Sequence, residues 1–281
     1  MIKKELLKDF WRKFNKKKTN SVALIILTII IFAALFAPYI APYGPMEMNY
    51  NYVLGSPNSD HIFGTDSMGR DIFSRIIYGS RISLNVGLIS MSISSGIGLI
   101  LGLIAGYYSG LIGAVIMRLM DMMLSLPGFL LAMAIIAVLG PDLRNVMIAI
   151  GIASIPTFTR VVRAVTLSVK ENEYVQSARA LGASDFRIIL HHIIPNILAP
   201  VIVLATLRVA VAIIMAAGLS FIGLGAQPPT PEWGAILNDA RQYIRDAWWF
   251  PLFPGLSITI TVLTINIIGD ALRDILDPKT L

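Results

Sequence analysis

The chain has 281 residues, of which 56% are hydrophobic and only 14% charged, and its mean hydropathy is +0.72, so lipid rather than water is the solvent for most of it. With no cysteine there is neither disulfide nor thiolate chemistry, and three histidines leave little material for a metal site. The net charge of +6 lies mainly in the first twenty residues and has no base-reading module beside it, a pattern that suits an anionic leaflet better than nucleic acid.

In chain order, Ile2, Leu6, Leu7, Phe10, Trp11 and Phe14 recur at intervals of three and four among lysines, which predicts an amphipathic helix over residues 1–20 lying on the cytoplasmic membrane surface. The following apolar core, Val22 to Phe36, is longer than a signal-peptide core of roughly 7–15 residues and reads as an uncleaved anchor. Apolar runs near 21–37, 83–107, 122–139, 145–163, 196–222 and 251–269 predict six transmembrane helices in one membrane domain, 21–281. Lysine and arginine orient them: the N-terminal lysines and Arg160, Arg163, Lys170, Arg179 and Arg187 belong inside. Both termini and residues 164–195 are then cytoplasmic, whereas 38–82 and 223–250 face outward.

Within the second run Gly98, Gly102, Gly106 and Gly110 fall four apart, preceded in phase by Ser90 and Ser94. In lipid such a small-residue stripe marks a close helix contact, here expected inside the bundle. After the fourth run, "SVKENEYVQSARALG" reads as a short helix ended by Gly182 in the left-handed C′ position. Ser184 or Asp185 then caps a second helix that runs past Pro195 into the fifth span, so that a helical knob projects from the membrane. Arg208 is the one charge near the middle of a span, and burial cost makes it a functional-site hypothesis, with Asn266 or Asp270 as possible structural partners. Outside, Asp66, Arg70, Asp71 and Arg75 can form an ion-paired cap, and "QPPTPEWG" with "ILNDARQYI" reads as a re-entrant or interfacial element held by Trp233, Trp248 and Trp249. Adjacent His191 and His192 diverge by about 100° on a helix and do not chelate together.

The stretch "EYVQSARALGASDFRIILHHIIPN" (173–196) resembles the EAA loop of binding-protein-dependent ABC importer permeases: EAA, three residues, Gly, nine residues, Ile, any, Leu, Pro. Gln176, Ser177 and Ala178 take the EAA places and Gly182 and Pro195 are in register, while Gln176 replaces the first acid, His192 the Ile and Ile194 the Leu. The stretches "HIFGTDSMGRDIFSRIIYGSRISL", "MRLMDMMLSLPGFLLA", "LSFIGLGAQPPTPEWG", "NDARQYI" and "GDALRDILDP" are similar, in order, to the second permease subunit of dipeptide, oligopeptide and nickel importers. The resemblance implies an all-α type I (MetI-like) permease. Its coupling surface would comprise Glu173, Gln176, Ser177, Ala178, Leu181 and Gly182; Met215 and Phe221 would join Arg208 as pore or gate candidates; and Asp66, Arg70, Glu232 and Trp233 would lie where a binding protein docks. It also implies a heterodimer with a B-type permease, two ATPase subunits that use ATP and Mg, and an extracytoplasmic solute-binding protein. This chain lacks G-x-x-x-x-G-K-[ST], the backbone cradle for phosphate, so it is read as a transport subunit and not an enzyme. Peptides are the expected cargo, nickel the alternative. A stand-alone secondary carrier would call for inverted repeats or buried coupling carboxylates, and neither is evident.

Overall fold

The computed structural model describes residues 10–276. Residues 10–14 are helical and pack Phe10, Trp11 and Phe14 ring to ring, but the surface helix expected over 1–20 ends there: 15–17 turn and 18–20 already belong to the first spanning helix, while residues 1–9 lie outside the described residues. Five long apolar helices follow: α1 (Lys18–Leu35), α2 (Ile72–Tyr107), α5 (Leu143–Lys170), α8 (Ile194–Phe221) and α10 (Trp249–Leu276). Between α2 and α5 stand α3 (Leu111–Leu124) and α4 (Gly128–Leu139). At one end of the bundle, here the loop end, α6 (Glu173–Ala180) and α7 (Asp185–Ile188) connect α5 to α8. At the other, the cap end, residues 36–71 and α9 (Trp233–Ala240) cover the helix tips.

The third expected span is not one straight helix, because α3 and α4 meet at 87° across Ser125, Leu126 and Pro127. Pro127 supplies no N–H and disfavours helix at the residue before it, so α3 ends and α4 starts afresh, with Leu131 N donating to the Pro127 carbonyl at 3.0 Å. The second helix starts eleven residues before the expected span. Asp71 caps it through a 2.7 Å bond from Ser74 N, and Arg75 and Arg81, which read as loop residues, both find partners within the fold. Arg81 donates to the carbonyls of Ala34 and Leu35, placing a cation on the free C-terminal carbonyls of α1.

The small-residue stripe of α2 faces α5, the principal helix pair of the bundle. A methyl group at Gly102 would sit 2.5 Å from Val162 Cβ and one at Gly106 2.7 Å from Thr166 Cβ, and Gly98 opposes Phe158 just as closely. From the other side Gly151 of α5 admits Ile93, and Ser90 Oγ donates to the Met147 carbonyl at 3.0 Å. Gly110 belongs to a different feature: it has φ +100°, nothing near its α-carbon, and turns the chain from α2 into α3. The first and last spanning helices meet at the loop end, where Lys17 Nζ lies 2.8 Å from Asp274 Oδ2.

Two substitutions on α2 separate close packing from helix propensity. Gly102→Val overpacks the α2–α5 seam and is expected to cost about 1–3 kcal/mol, whereas Gly96→Ala, which meets nothing within 4 Å, should be neutral or slightly stabilising. Thermal unfolding in detergent checks both, with a shift of about 2–4 °C per kcal/mol in a chain of this size.

Candidate functional site

Two polar structures stand at opposite ends of α2, a projecting hairpin at the loop end and a buried ionic cap at the other.

The hairpin forms for local reasons. Glu173 sits in the first turn of α6 and Arg179 in the last, each complementing the helix dipole. Gly182 then takes φ +84°, and the bonds Ala183 N to Ala178 O (3.1 Å) and Gly182 N to Arg179 O (3.0 Å) make a Schellman termination. A side chain at 182 would meet no atom, so backbone conformation alone selects glycine there. Val175 is buried and anchors α6 in an apolar cluster with Leu103, Tyr107, Val162, Ile188 and Ile193. On the outer side Glu173, Gln176 and Ser177 are exposed and Ala178 half-buried, while Leu181 is 88% exposed at the tip. Phe186, 73% exposed as the second residue of α7, follows four positions after Gly182 and had no sequence signal beyond that position. Two large apolar side chains held in the open on a rigid turn make a knob shaped for a protein groove. The arm enters α8 through a π-helical turn, Ile189–Ile193, in which Ile194 N bonds to the Ile189 carbonyl. Pro195, which cannot donate at the next position, follows directly.

At the cap end, Asp66 is fully buried and accepts from Met68 N (2.8 Å), Arg70 N (2.9 Å) and Arg70 Nε (2.6 Å), with Arg75 Nε 3.5 Å from its second oxygen. Arg70 also reaches Asp239 of α9 at 3.6 Å, Arg75 Nη1 donates to the Pro45 carbonyl at 3.1 Å, and His61 Nδ1 lies 3.0 Å from Asp71 Oδ1. Removing one member of so buried a set would strand another charge, at a cost of about 3–5 kcal/mol. Trp233 Nε1 donates to the Ile76 carbonyl at 3.1 Å and Trp249 Nε1 to that of Thr65 at 3.4 Å, so both indoles are pinned over an apolar layer with Ile72, Ile236 and Phe250. Asp66, Arg70, Glu232 and Trp233, expected where a binding protein docks, are instead buried inside the cap and present no side chain on its surface. The exposed face carries Tyr39, Met46, Tyr50 and Ile62 instead.

The pore candidates all lie on α8 but do not converge. Arg208 and Met215 are two turns apart on one face, and Phe221 points about 140° away from Arg208. Arg208 is half-buried near the midpoint of α8, and among the described residues it has no ion-pair or hydrogen-bond partner, Asn266 and Asp270 included.

Glu232 caps α9 from the loop before it, accepting from Ala235 N at 3.0 Å and lying 3.3 Å from Ser83 Oγ. Burial pushes its carboxyl above the usual range, against the hydrogen bonds to Gly234, Ser220, Ala235 and Ser83, which favour the anion. A raised native value means the folded chain holds the proton longer than the unfolded one. The resulting stability is fully present below the unfolded value, about 4.3, and is lost as pH rises through the folded value. Glu232→Gln keeps an acceptor for Ala235 N and never ionises. Thermal unfolding scanned between about pH 4 and 8 should therefore show the variant gaining on the parent as pH rises.

This architecture has relatives. Residues 98–281 match the family described as binding-protein-dependent transport system inner membrane component, and residues 5–57 match the N-terminal transmembrane domain of oligopeptide transport permease C. The chain is 50% identical over 272 residues to the dipeptide transport system permease protein DppC of Alkalihalophilus pseudofirmus, covering 97% of this chain and 90% of that one. It is 47% identical over 272 residues to the glutathione transport system permease protein GsiD of Escherichia coli, covering 96% and 90%. A solved structure of the MetNI methionine ABC transporter, inward facing, superposes with a TM-score of 0.60 over 73% of this chain and 97% of that one; at 18% identity it speaks for the fold, the type I MetI-like permease. The chain thus belongs to the binding-protein-dependent ABC importer permeases, multi-pass membrane subunits that carry no ATPase site and work with separate ATPase and binding-protein partners.

Proposed function

We propose that this chain forms half of the translocation pathway of an importer for di- and oligopeptides, as heterodimer partner of a B-type permease. Two ATPase subunits that hydrolyse ATP with the help of Mg grip the hairpin, and an extracytoplasmic solute-binding protein delivers cargo to the cap. The observation that carries this reading is the knob: Leu181 stands in the open on a Schellman turn and Phe186 on the helix that follows it, a costly arrangement in water that a groove on a partner would relieve. Peptide cargo is favoured because the two relatives named above handle dipeptides and glutathione. The loop end is cytoplasmic on the strength of Arg160, Arg163, Lys170, Arg179, Arg187 and the N-terminal lysines, and the cap is then outside.

In this reading, nucleotide-driven closure of the ATPases draws the two permease hairpins together and turns the pathway outward; hydrolysis resets it. Arg208, a cation midway through α8 with no partner among the described residues, faces the pathway together with Met215, because exposure to lipid there would be costly. A peptide brings a carboxylate that suits it.

The test is uptake into proteoliposomes by this chain reconstituted with its partner permease, ATPases and binding protein, with labelled dipeptide, oligopeptide and nickel offered in parallel. ATP-dependent peptide uptake that requires every partner is the expected result; uptake by this chain alone, driven by an ion gradient, would refute the reading. In the same system Gly182→Val should abolish most uptake while membrane insertion persists, since a β-branched residue does not tolerate φ +84°. Arg208→Gln should raise KM for peptide by about tenfold, the scale of one charge-assisted hydrogen bond, with Arg208→Lys nearer the parent.

A further inference from the structure

The hairpin is joined covalently to α5 and to α8. A third attachment comes from Tyr107, the last residue of α2, whose side chain is 4% exposed. Its hydroxyl donates to Asp185 Oδ1 at 2.5 Å and accepts from Arg179 Nη2 at 3.1 Å. Arg179 lies in the last turn of α6 and Asp185 opens α7, so one phenol oxygen ties both arms of the hairpin together across the Gly182 turn. The ring lies under two cations, Arg179 at 5.5 Å and Lys170 at 5.6 Å from its centroid. Lys170 Nζ also donates to the Tyr107 carbonyl at 2.8 Å and to Ser109 Oγ at 3.3 Å, which fixes the C-terminus of α2 against that of α5.

A phenyl ring would fill the same apolar site among Leu103, Val162 and Ile188. The hydroxyl adds two bonds to charged groups, Arg179 and Asp185, which are themselves exposed on the hairpin, and charge-assisted bonds are stronger than neutral ones. What they hold is one end of a very long lever: at 1.5 Å per residue the 36 residues of α2 extend roughly 54 Å. Its opposite end carries Asp71 and Arg75 of the cap, and its middle is locked to α5 by the glycine stripe.

We propose that Tyr107 is a positioning residue for transport, the latch through which movement of the gripped hairpin is passed to α2 and so to the cap at the far end of the bundle. The inference rests on the ATPase-gripped hairpin proposed above. It assigns Tyr107, Arg179 and Asp185 to transmission, in contrast to Leu181 and Phe186, which meet the partner.

The experiment measures ATP hydrolysis and peptide uptake in the same proteoliposomes, with the full complex carrying Tyr107→Phe. The expected result is co-purification with the ATPases and hydrolysis within about twofold of the parent, while peptide taken up per ATP falls at least about fivefold, the lower end of coupling between sites. Uptake and hydrolysis that fall in parallel, or an unchanged ratio, would overturn the proposal. Should Tyr107→Phe fail to assemble, Asp185→Ala, which leaves the ring packed, must show the same loss of ratio; parental uptake per ATP in that variant would overturn the latch. Where both variants assemble, the double variant should be no worse than either single, and additive losses would show that the two residues act separately. A parent complex without ATP-dependent uptake would instead count against the importer reading, an outcome separable from any effect of the variants.

Discussion

The close approach of α2 and α5 governs the architecture. Between helices in lipid there is no hydrophobic driving force, because the surrounding chains are as apolar as the side chains, so contact must come from packing. Gly98, Gly102 and Gly106 let Phe158, Val162 and Thr166 come within a β-carbon's distance of the α2 backbone, and Gly151 lets Ile93 do the same to α5. With these two helices fixed as a pair, the elements at either end have a rigid base. The hairpin emerges from the C-terminus of α5 beside that of α2, and the cap is built on the N-terminus of α2.

The two ends of this base reverse the usual distribution of side chains in opposite senses. At the cap Asp66, Arg70, Asp71 and Arg75 are buried, and each charge is acceptable there because an opposite charge or a hydrogen-bonding group lies beside it. Such a set tolerates only one arrangement, which favours a stiff lid with a defined outer face. At the hairpin Leu181 and Phe186 are bare. Their exposure is maintained by backbone geometry, the Schellman turn at Gly182, rather than by packing beneath them. A rigid receptor at one end and an unpaired apolar knob at the other are what a subunit needs if force enters at the hairpin and cargo at the cap.

How far this was legible in sequence depended on whether the determinant was local. Five spans followed from apolar length, and the hairpin followed from Gly182, whose positive φ is a property of its own backbone. The small stripe announced a helix contact, but α5 as its partner required the three-dimensional arrangement. Pro127 was visible in the sequence. Its consequence, an 87° bend, was masked by the unbroken hydropathy of residues 122–139. Asp66, Arg70, Glu232 and Trp233 read as surface residues because polar groups near a membrane interface usually are; their burial depends on partners up to 169 positions away, as Asp239 is from Arg70. Tyr107 and Phe186 carried no pattern at all, one being an aromatic at the end of an apolar run and the other a lone aromatic in a polar stretch.

The long-range partners also bear on how the subunit can move. A hairpin attached only through its two covalent ends would pull on α5 and α8, and the π-helical turn before Pro195 is a weak place at which such a pull into α8 could dissipate. The Tyr107 bonds to Arg179 and Asp185 place a load on α2 as well, which is straight-run helix from Ile72 to Tyr107 with no proline within it. Like α8, whose far end packs on α9 of the cap, α2 reaches the cap along a single helix, and it is backed by the glycine-packed α5. Transmission through packed, bistable contacts rather than through flexible linkers is how small displacements at one site become defined changes at another. On that argument, the polar contacts that hold α2 to the hairpin matter as much to coupling as the apolar residues proposed to meet the ATPase.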